Sequence, residues 1–336
     1  MIKLAITILD VQKKTGYSLS TISKYLNGGN LREKNRIAIE KAISELGFKP
    51  NQIARGLRNS KTRTVGVLIP SLSNLFSTTI ITAMEKVLQK NEYGVIICDC
   101  GENAEIEAQK TQFLIDKKVD GIITMPFSLD STHLALAQKS GVPVVIIDRM
   151  LSPFECDVVL VDNLNASYCA VEQLIIGGHK RIGIICGPQN IFTTEERLKG
   201  YLRALDDYYI SLDNTLIKFG DYNIESGYEK LTELWSLENK PTAIFVTNYE
   251  MTIGAIMAIN SLSIDVPNEL SIIGFDNIQL SAVVKPPLSV VSQPMEKIGE
   301  VVAKLILKRM NGDNSDFPQI LRLKTEMEIK ASVKKI

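Results

Sequence analysis

The apolar positions change rhythm once along the chain. Up to about residue 48 they recur at helical spacing in short runs. Ile8–Thr15 is the first, with Ile8 and Val11 on one face, Thr7 placed to cap it, Asp10 in its first turn, and Gly16 behind it. Ser18 caps a second run, Leu19–Leu26, in which Ile22 and Leu26 share a face before Asn27-Gly28-Gly29 closes it. A third spans Arg32–Leu46, with Ile39, Ala42, Ile43 and Leu46 three or four apart and Gly47 as the stop. Two short helices joined by a glycine-containing turn, with a third behind them, is the helix-turn-helix pattern. From Val65 the rhythm becomes β-rich runs at 65–70, 95–98, 119–125 and 142–148, separated by amphipathic stretches at 78–90, 104–117 and 131–139. Val158–Val161 adds an edge-like strand. The scheme then repeats, with strands at 182–186, 216–219, 243–246, 271–274 and 289–291 and helices near 165–176, 195–208, 226–234 and 252–261. Strands alternating with helices predict parallel sheets covered on both faces.

At 336 residues the chain is long enough for more than one domain, and 45 % apolar with 23 % charged residues is ordinary globular composition. No stretch approaches the ~20 apolar residues that span a bilayer. Met1–Leu9 is mostly apolar, but Asp10, Lys13 and Lys14 follow without a small-residue cleavage site, so the expectation is a cytoplasmic protein rather than a signal peptide. Five cysteines, at least four of them in or beside apolar runs, suit buried thiols. With two histidines in the chain, the pair Cys98 and Cys100 is not expected to hold a metal, and no cofactor is expected.

A formal net charge of zero conceals a division. Residues 1–64 carry 13 Lys and Arg against 4 Asp and Glu, net +9, and the remainder is net −9. A basic head on an acidic body points the head at a polyanion. On the second helix, Ile22 and Leu26 face inward, leaving Leu19, Ser20, Thr21, Ser23 and Lys24 outward. Small hydroxyl residues let a helix approach a groove, hydroxyls and Lys reach phosphates or base edges, and Leu can touch a thymine methyl. Asn51–Arg58 reads as a two-turn helix with Gly56 inside it, too short to be stable without a partner. A polar, basic linker, 59–64, follows.

Enzyme signatures are missing: no G-x-G-x-x-G follows a strand, and neither a phosphate-binding loop nor a nucleophile elbow is present. Glu195-Glu196 and Asp206-Asp207 are adjacent on helical stretches, share no face, and read as solvated.

Ordered motifs along almost the whole chain resemble the lactose/galactose repressor (LacI/GalR) family. They include Thr7-Ile8-Leu9-Asp10-Val11, Ser20-Thr21-Ile22-Ser23-Lys24-Tyr25-Leu26-Asn27-Gly28, Ala54-Arg55-Gly56-Leu57-Arg58, Asp120-Gly121-Ile122-Ile123, Gly178-His179-Lys180-Arg181-Ile182 and Gly274-Phe275-Asp276. The resemblance implies an all-α helix-turn-helix head (1–49), a hinge helix and linker (50–64), and an α/β body (65–336). The body is of the type I periplasmic-binding-protein-like class, two doubly wound parallel-sheet subdomains at about 65–162 with 294–324 and 163–292 with 325–336. It implies that Leu19, Ser20 and Lys24 read bases, that Thr7, Thr21, Ser23 and Asn27 meet the backbone, and that Asn51, Ala54, Arg55 and Leu57 of the hinge lie in the minor groove, Leu57 wedged into a base step. Gln12 and Lys24 depart from the family's usual alanine and arginine; a lysine weakens bidentate guanine reading.

Open α/β sheets bind ligands past the carboxyl ends of their strands. Asn74, Phe76, Phe127, Arg149, Arg197, Tyr222, Asn248 and Asp276 stand there, as do Ser73 and Asp148. In the resemblance, the positions of Arg197, Asn248 and Asp276 touch the effector and that of Tyr222 packs on it, while Tyr249 stands where the family commonly has Asp. His179 reads as a helix-end residue, and Phe192 as either core or lid. The expectation is a homodimeric repressor of carbohydrate-utilisation genes that binds palindromic operator DNA under control of a sugar-like effector. A transporter's solute-binding protein would share the body but need an export signal and no basic head; a regulator answering to a purine or a partner protein would use the same scaffold.

Overall fold

A computed structural model describes residues 6–26, 29–48, 61–276 and 278–336. Contacts divide the chain into two compact units, Met1–Arg63 and Thr64–Ile336. In the first, α1 (Ile8–Thr15), α2 (Leu19–Leu26) and α3 (Glu33–Leu46) close around buried Val11, Ile22, Ile39, Ala42 and Phe48. Local chemistry sets their ends. The Asp10 carboxylate accepts from Thr7 N–H and its hydroxyl at 2.8 Å each, and Gly16 takes the left-handed φ of 71° that ends α1. Ser18 Oγ accepts from Thr21 N–H at 3.2 Å and caps α2. The hinge, Asn51–Arg58, lies outside the described residues.

The second unit holds two six-stranded sheets. In the first, β1 (Thr64–Ile69), β2 (Gly94–Asp99), β3 (Gly121–Thr124), β4 (Val144–Ile147), β5 (Asp157–Val161) and β11 (Ile320–Leu323) are arranged β11-β5-β4-β3-β1-β2, all pairs parallel. In the second, β6 (Ile182–Cys186), β7 (Ile217–Phe219), β8 (Ala243–Val246), β9 (Ser271–Phe275), β10 (Ser289–Ser292) and β12 (Glu326–Glu328) are arranged β12-β10-β9-β8-β6-β7, parallel except for the antiparallel edge strand β12. Strands β3, β4, β8 and β9 are buried throughout, as continuous Val/Ile-rich runs with helices on both sides must be. The chain passes from the first sheet to the second after β5, returns after β10, and crosses again between β11 and β12.

Helices α4 (Leu75–Lys90), α5 (Ala104–Asp116), α6 (Thr132–Lys139) and α12 (Met295–Met310) flank the first sheet, and α7 (Asn163–Ile176), α8 (Phe192–Asp207), α9 (Ile224–Trp235) and α10 (Tyr249–Ser261) the second; a short α11 (Ile278–Val283) precedes β10. Helix α12, not assigned by the sequence pattern, packs Val302, Ala303 and Ile306 on the core of the first sheet. Its Arg309 meets the wholly buried Asp157 of β5 in a bidentate pair at 2.6 and 2.9 Å. On the second half, α9 and α10 touch backbone to backbone: a Cβ on Gly254 would lie 1.9 Å from Ile224 O.

Several helices start a turn earlier than their apolar spacing predicts. Asn74 accepts from Ser77 N–H at 3.1 Å, Asn223 from Ser226 N–H at 2.8 Å and Asn248 from Met251 N–H at 2.8 Å, so each asparagine is an N-cap rather than a loop residue.

Candidate effector cleft and DNA-reading face

In the body, residues that follow the carboxyl ends of strands from both sheets surround a cavity of about 120 Å³. At ~10–15 Å³ per water this is room for a small molecule. Seven of the eight expected positions line it: Asn74, Phe76, Arg149, Arg197, Tyr222, Asn248 and Asp276. Phe127 does not. Its N–H donates to the buried Glu107 carboxylate at 3.2 Å and its carbonyl accepts from Arg149 at 3.4 Å, so it belongs to the wall behind Arg149. Ser73 is likewise outside the lining, whereas Asp148, Glu102, Thr193, Tyr249, Glu250 and Gln293 are in it. The strand-end rule that pointed to Asn248 and Asp276 also covers Glu250 and Gln293, which lie one or two residues past β8's cap and past β10.

Arg197 is rigidly held. Its Nε donates to Asn163 Oδ1 at 2.8 Å, a terminal nitrogen donates to Thr247 O at 2.5 Å, and the guanidinium lies 3.9 Å over the Phe275 ring. Asp276 is buried and accepts from Gln293 Nε2 at 2.5 Å and from Gln293 N–H at 3.3 Å. Burial drives its carboxyl up to about 6, against the pull of the Arg197 charge and the Gln293 hydrogen bonds. The Tyr222 hydroxyl is tied to Thr193 and Thr194 at 3.1 and 2.7 Å, and its ring lies against Gly187, where a Cβ would come within 2.1 Å of it. Asp148, Tyr222 and Asp276 all adopt left-handed backbone, with φ of 72°, 57° and 63°. Three such residues around one cavity mark a place where the fold holds strain in exchange for aim.

The caps at Asn74 and Asn248 commit their side-chain oxygens. Their amide nitrogens both donate to Glu250, Asn74 to Oε1 at 3.2 Å and Asn248 to Oε2 at 2.7 Å. Glu250 thereby links the first half of the body to the second. Burial raises its carboxyl above the usual range, with Glu102 pushing the same way. A second link joins Arg322 of β11 to Glu196 of α8 at 3.1 Å. Glu196 is therefore not the solvated residue the sequence reading makes it. Phe192, which opens α8, packs on the core of the first half and is not part of the cavity lining. His179 is buried after α7, held by Thr242 and Lys334 O. Cys98 and Cys100 are buried thiols, and burial lifts Cys100 to about 12. Among the described residues no cluster of His, Cys, Asp and Glu suits a metal ion.

On the head, α2 presents Leu19, Ser20 and Lys24 exposed and Thr21 and Ser23 half-buried, with Ile22 wholly inside. Ser18 Oγ lies 2.7 Å from the Ser20 hydroxyl and 2.8 Å from that of Thr21, which pre-orders the hydroxyl row. Thr7 is exposed, its hydroxyl donated to Asp10. Asn27, Asn51, Ala54, Arg55 and Leu57 lie outside the described residues.

Comparison with known proteins agrees in both parts. A family model for a periplasmic binding protein-like domain matches residues 171–333. The catabolite control protein A of Priestia megaterium is 36 % identical over 331 residues, 98 % of this chain and 99 % of that protein. The helix-turn-helix transcriptional repressor CytR of Escherichia coli K12 is 33 % identical, over 92 % and 91 % of the two chains. Among solved structures, a transcriptional regulator CelR–cellobiose complex superposes with a TM-score of 0.75 at 26 % identity, over 97 % of this chain and 99 % of that one. With such identity sustained from head to body, and relatives that are transcriptional regulators rather than enzymes, the chain belongs to the LacI/GalR family of DNA-binding transcriptional regulators that answer to small-molecule effectors.

Proposed function

We propose that the protein is a homodimeric repressor of carbohydrate-utilisation genes that acts in the cytoplasm and releases or tightens on a palindromic operator when a sugar or sugar derivative enters the body's cleft. The observation that carries this reading is the convergence of Asn74, Phe76, Arg149, Arg197, Tyr222, Asn248 and Asp276, from six separate strand ends and helix starts across two sheets, on a single cavity. Sugar hydroxyls suit paired bonds to Arg, Asp and Asn, and an apolar sugar face suits the rings of Phe76 and Tyr222. The cellobiose complex of the CelR regulator is in keeping with that chemistry. A head this small covers too few base pairs alone, and a twofold pair matches two half-sites. Leu19, Ser20 and Lys24 then read base edges, Thr7, Thr21, Ser23 and Asn27 meet phosphates, and Asn51, Ala54, Arg55 and Leu57 act in the minor groove. Among the described residues no helix is long and apolar enough to cross a membrane.

A thermal-shift screen of sugars, sugar acids, sugar phosphates and purines, followed by gel shifts on operator-like palindromes at two salt concentrations with and without each hit, tests it. A ligand at 100 times its dissociation constant stabilises by ~2.7 kcal/mol. A hit that raises the melting temperature and alters operator affinity is the expected result. Hits that stabilise the body and leave operator binding unchanged would refute the regulatory role of the cleft.

A further inference from the structure

The cleft has a lopsided inventory of charge and hydrogen-bonding groups. Four carboxylates line it, Glu102, Asp148, Glu250 and Asp276, against two guanidinium groups, Arg149 and Arg197. The acidic excess is not confined to the rim: Asp276 is 8 % exposed, and Glu250 is enclosed by the two asparagine amides that donate to it. Gln293 supplies an independent sign of the same bias. It lines the same cavity at 5 % exposure, its nitrogens serve Asp276, and its Oε1 is buried with no hydrogen-bond partner among the described residues. A buried acceptor without a donor is unfavourable until something brings one. Burial also raises the carboxyls of Asp276 and Glu250, so the charged form of each gains from any further donor a ligand brings.

A ligand that completes this site must bring O–H or N–H groups. Alcohol hydroxyls donate and accept, and an ammonium only donates. A phosphate dianion or a carboxylate accepts without donating, and would enter a cavity that already holds an excess of negative charge and an unfilled acceptor. We propose that the cleft selects an uncharged polyol, a sugar or glycoside, tolerates an amino-substituted one, and excludes phosphorylated and acidic sugars, with Glu250 as the residue that sets this filter. The inference rests on the reading of the cavity as the effector cleft. Glu250 holds the decisive place because it touches both halves at once, through Asn74 and Asn248, and an anion near it faces its charge from wherever it enters.

The test is calorimetry on the full-length protein with matched sets: glucose, glucosamine, gluconate and glucose 6-phosphate; ribose and ribose 5-phosphate; cellobiose and its 6-phosphate. In each set that binds, the neutral or amino member is expected to bind about a hundredfold or more tightly than the phosphorylated one, because like charges brought together at a desolvated site are strongly unfavourable. Glu250→Gln narrows that gap about tenfold by admitting the anion. Glu102→Gln, which alters an exposed rim residue with little risk to folding, narrows it by a smaller factor. A phosphorylated member that binds more tightly than its parent, and loses that binding in Arg197→Ala, overturns the filter while leaving the cleft reading intact. A ligand whose binding is untouched by Arg197→Ala lies elsewhere and overturns both.

Discussion

Asp276→Asn should make the body more stable and less able to respond. In the native protein the carboxyl sits at about 6, against 3.8 for the ordinary group. Between those values the folded chain binds a proton that the unfolded chain has released, so this group makes stability fall as pH rises from near 4 to near 6, and the loss is complete at neutral pH. The difference of about two pH units corresponds to about 3 kcal/mol of ionisation held in a buried site. Asparagine has nearly the same shape and carries no charge. It keeps one acceptor for the two Gln293 donors that now converge on Asp276. Its amide also meets Gln293, whose unpartnered Oε1 can turn to accept from it. The lost hydrogen bond is therefore partly replaced, at a net loss of about 1 kcal/mol.

The balance is a gain of about 2 kcal/mol at pH 7 that falls to zero between about pH 4 and 5 and turns into a small loss below that, where the carboxyl is protonated in both states. In a body of this size that is a melting temperature higher by about 4–8 °C at neutral pH. Melting curves for both proteins from pH 4 to 7.5, taken as differences so that all other carboxyls cancel, measure it directly. A variant that melts below the parent at pH 7, or a difference that stays constant across the range, would refute the reasoning. The same substitution should weaken effector binding, because the ionised carboxylate is what a ligand hydroxyl donates to; stability gained at a binding site is commonly set against function.

Arg197→Ala should lower affinity for the cognate effector more than tenfold by calorimetry, since a buried hydrogen-bonded charge is worth ~2–5 kcal/mol at such a site; unchanged affinity would remove Arg197 from the cleft. It should also lower the melting temperature, by orphaning Asn163 Oδ1 and Thr247 O. Lys24→Ala and Ser20→Ala should change which operator bases are preferred, whereas Thr21→Ala should weaken all operators about equally; affinities across single-base operator variants separate the two, and uniform loss in all three would move the reading face off α2. Arg309→Met should destabilise the body by ~3–5 kcal/mol in denaturant titration, because it leaves the wholly buried Asp157 carboxylate without its cation; a loss under 1 kcal/mol would mean that water reaches Asp157.

What the sequence made legible follows from what periodicity encodes. β3, β4, β8 and β9 stand out because a strand buried on both faces is a continuous apolar run, and the head stands out because Val11, Ile22, Ile39 and Ala42 keep helical spacing around a small core. Helix α12 is not assigned, although Ile298, Val302, Leu305 and Ile306 keep helical spacing on either side of Gly299. That glycine is there for packing, since a Cβ would lie 2.5 Å from Ile80 O of α4, and periodicity does not register a close approach of two backbones. The edge strands β11 and β12 are short and half-exposed, and carry little pattern. At the cleft, strand ends could be located but side-chain allegiance could not. Asn74 and Asn248 serve as caps as well as lining residues, Phe127 turned to the wall, and the part of Glu250 depends on two asparagines 174 positions apart in the sequence.

That last arrangement bears on how a ligand could act. The bond from Asn74 to Glu250 and the pair Arg322–Glu196 both run from the first half of the body to the second, and the first of them lies in the cavity lining. A ligand hydroxyl that donates to Glu250 competes with the Asn74 amide for the same oxygen, so occupancy of the cleft and the link between the halves belong to one equilibrium. A hydrogen bond to a charged group contributes ~1.5–3 kcal/mol. The coupling free energy of an allosteric protein is typically ~1–3 kcal/mol. Exchanging a single bond at Glu250 is thus on the scale needed to shift the two halves between arrangements, without any larger rearrangement of the cores behind them. The sign depends on geometry at the same atom. A ligand that hydrogen-bonds Glu250 and Asn74 together holds the halves as they are, and one that displaces Asn74 frees them. Asn74→Ala, which removes both the bond and the cap, therefore separates the two cases. It should mimic the bound state of a displacing effector and abolish the response to a bridging one, read as operator affinity with and without ligand.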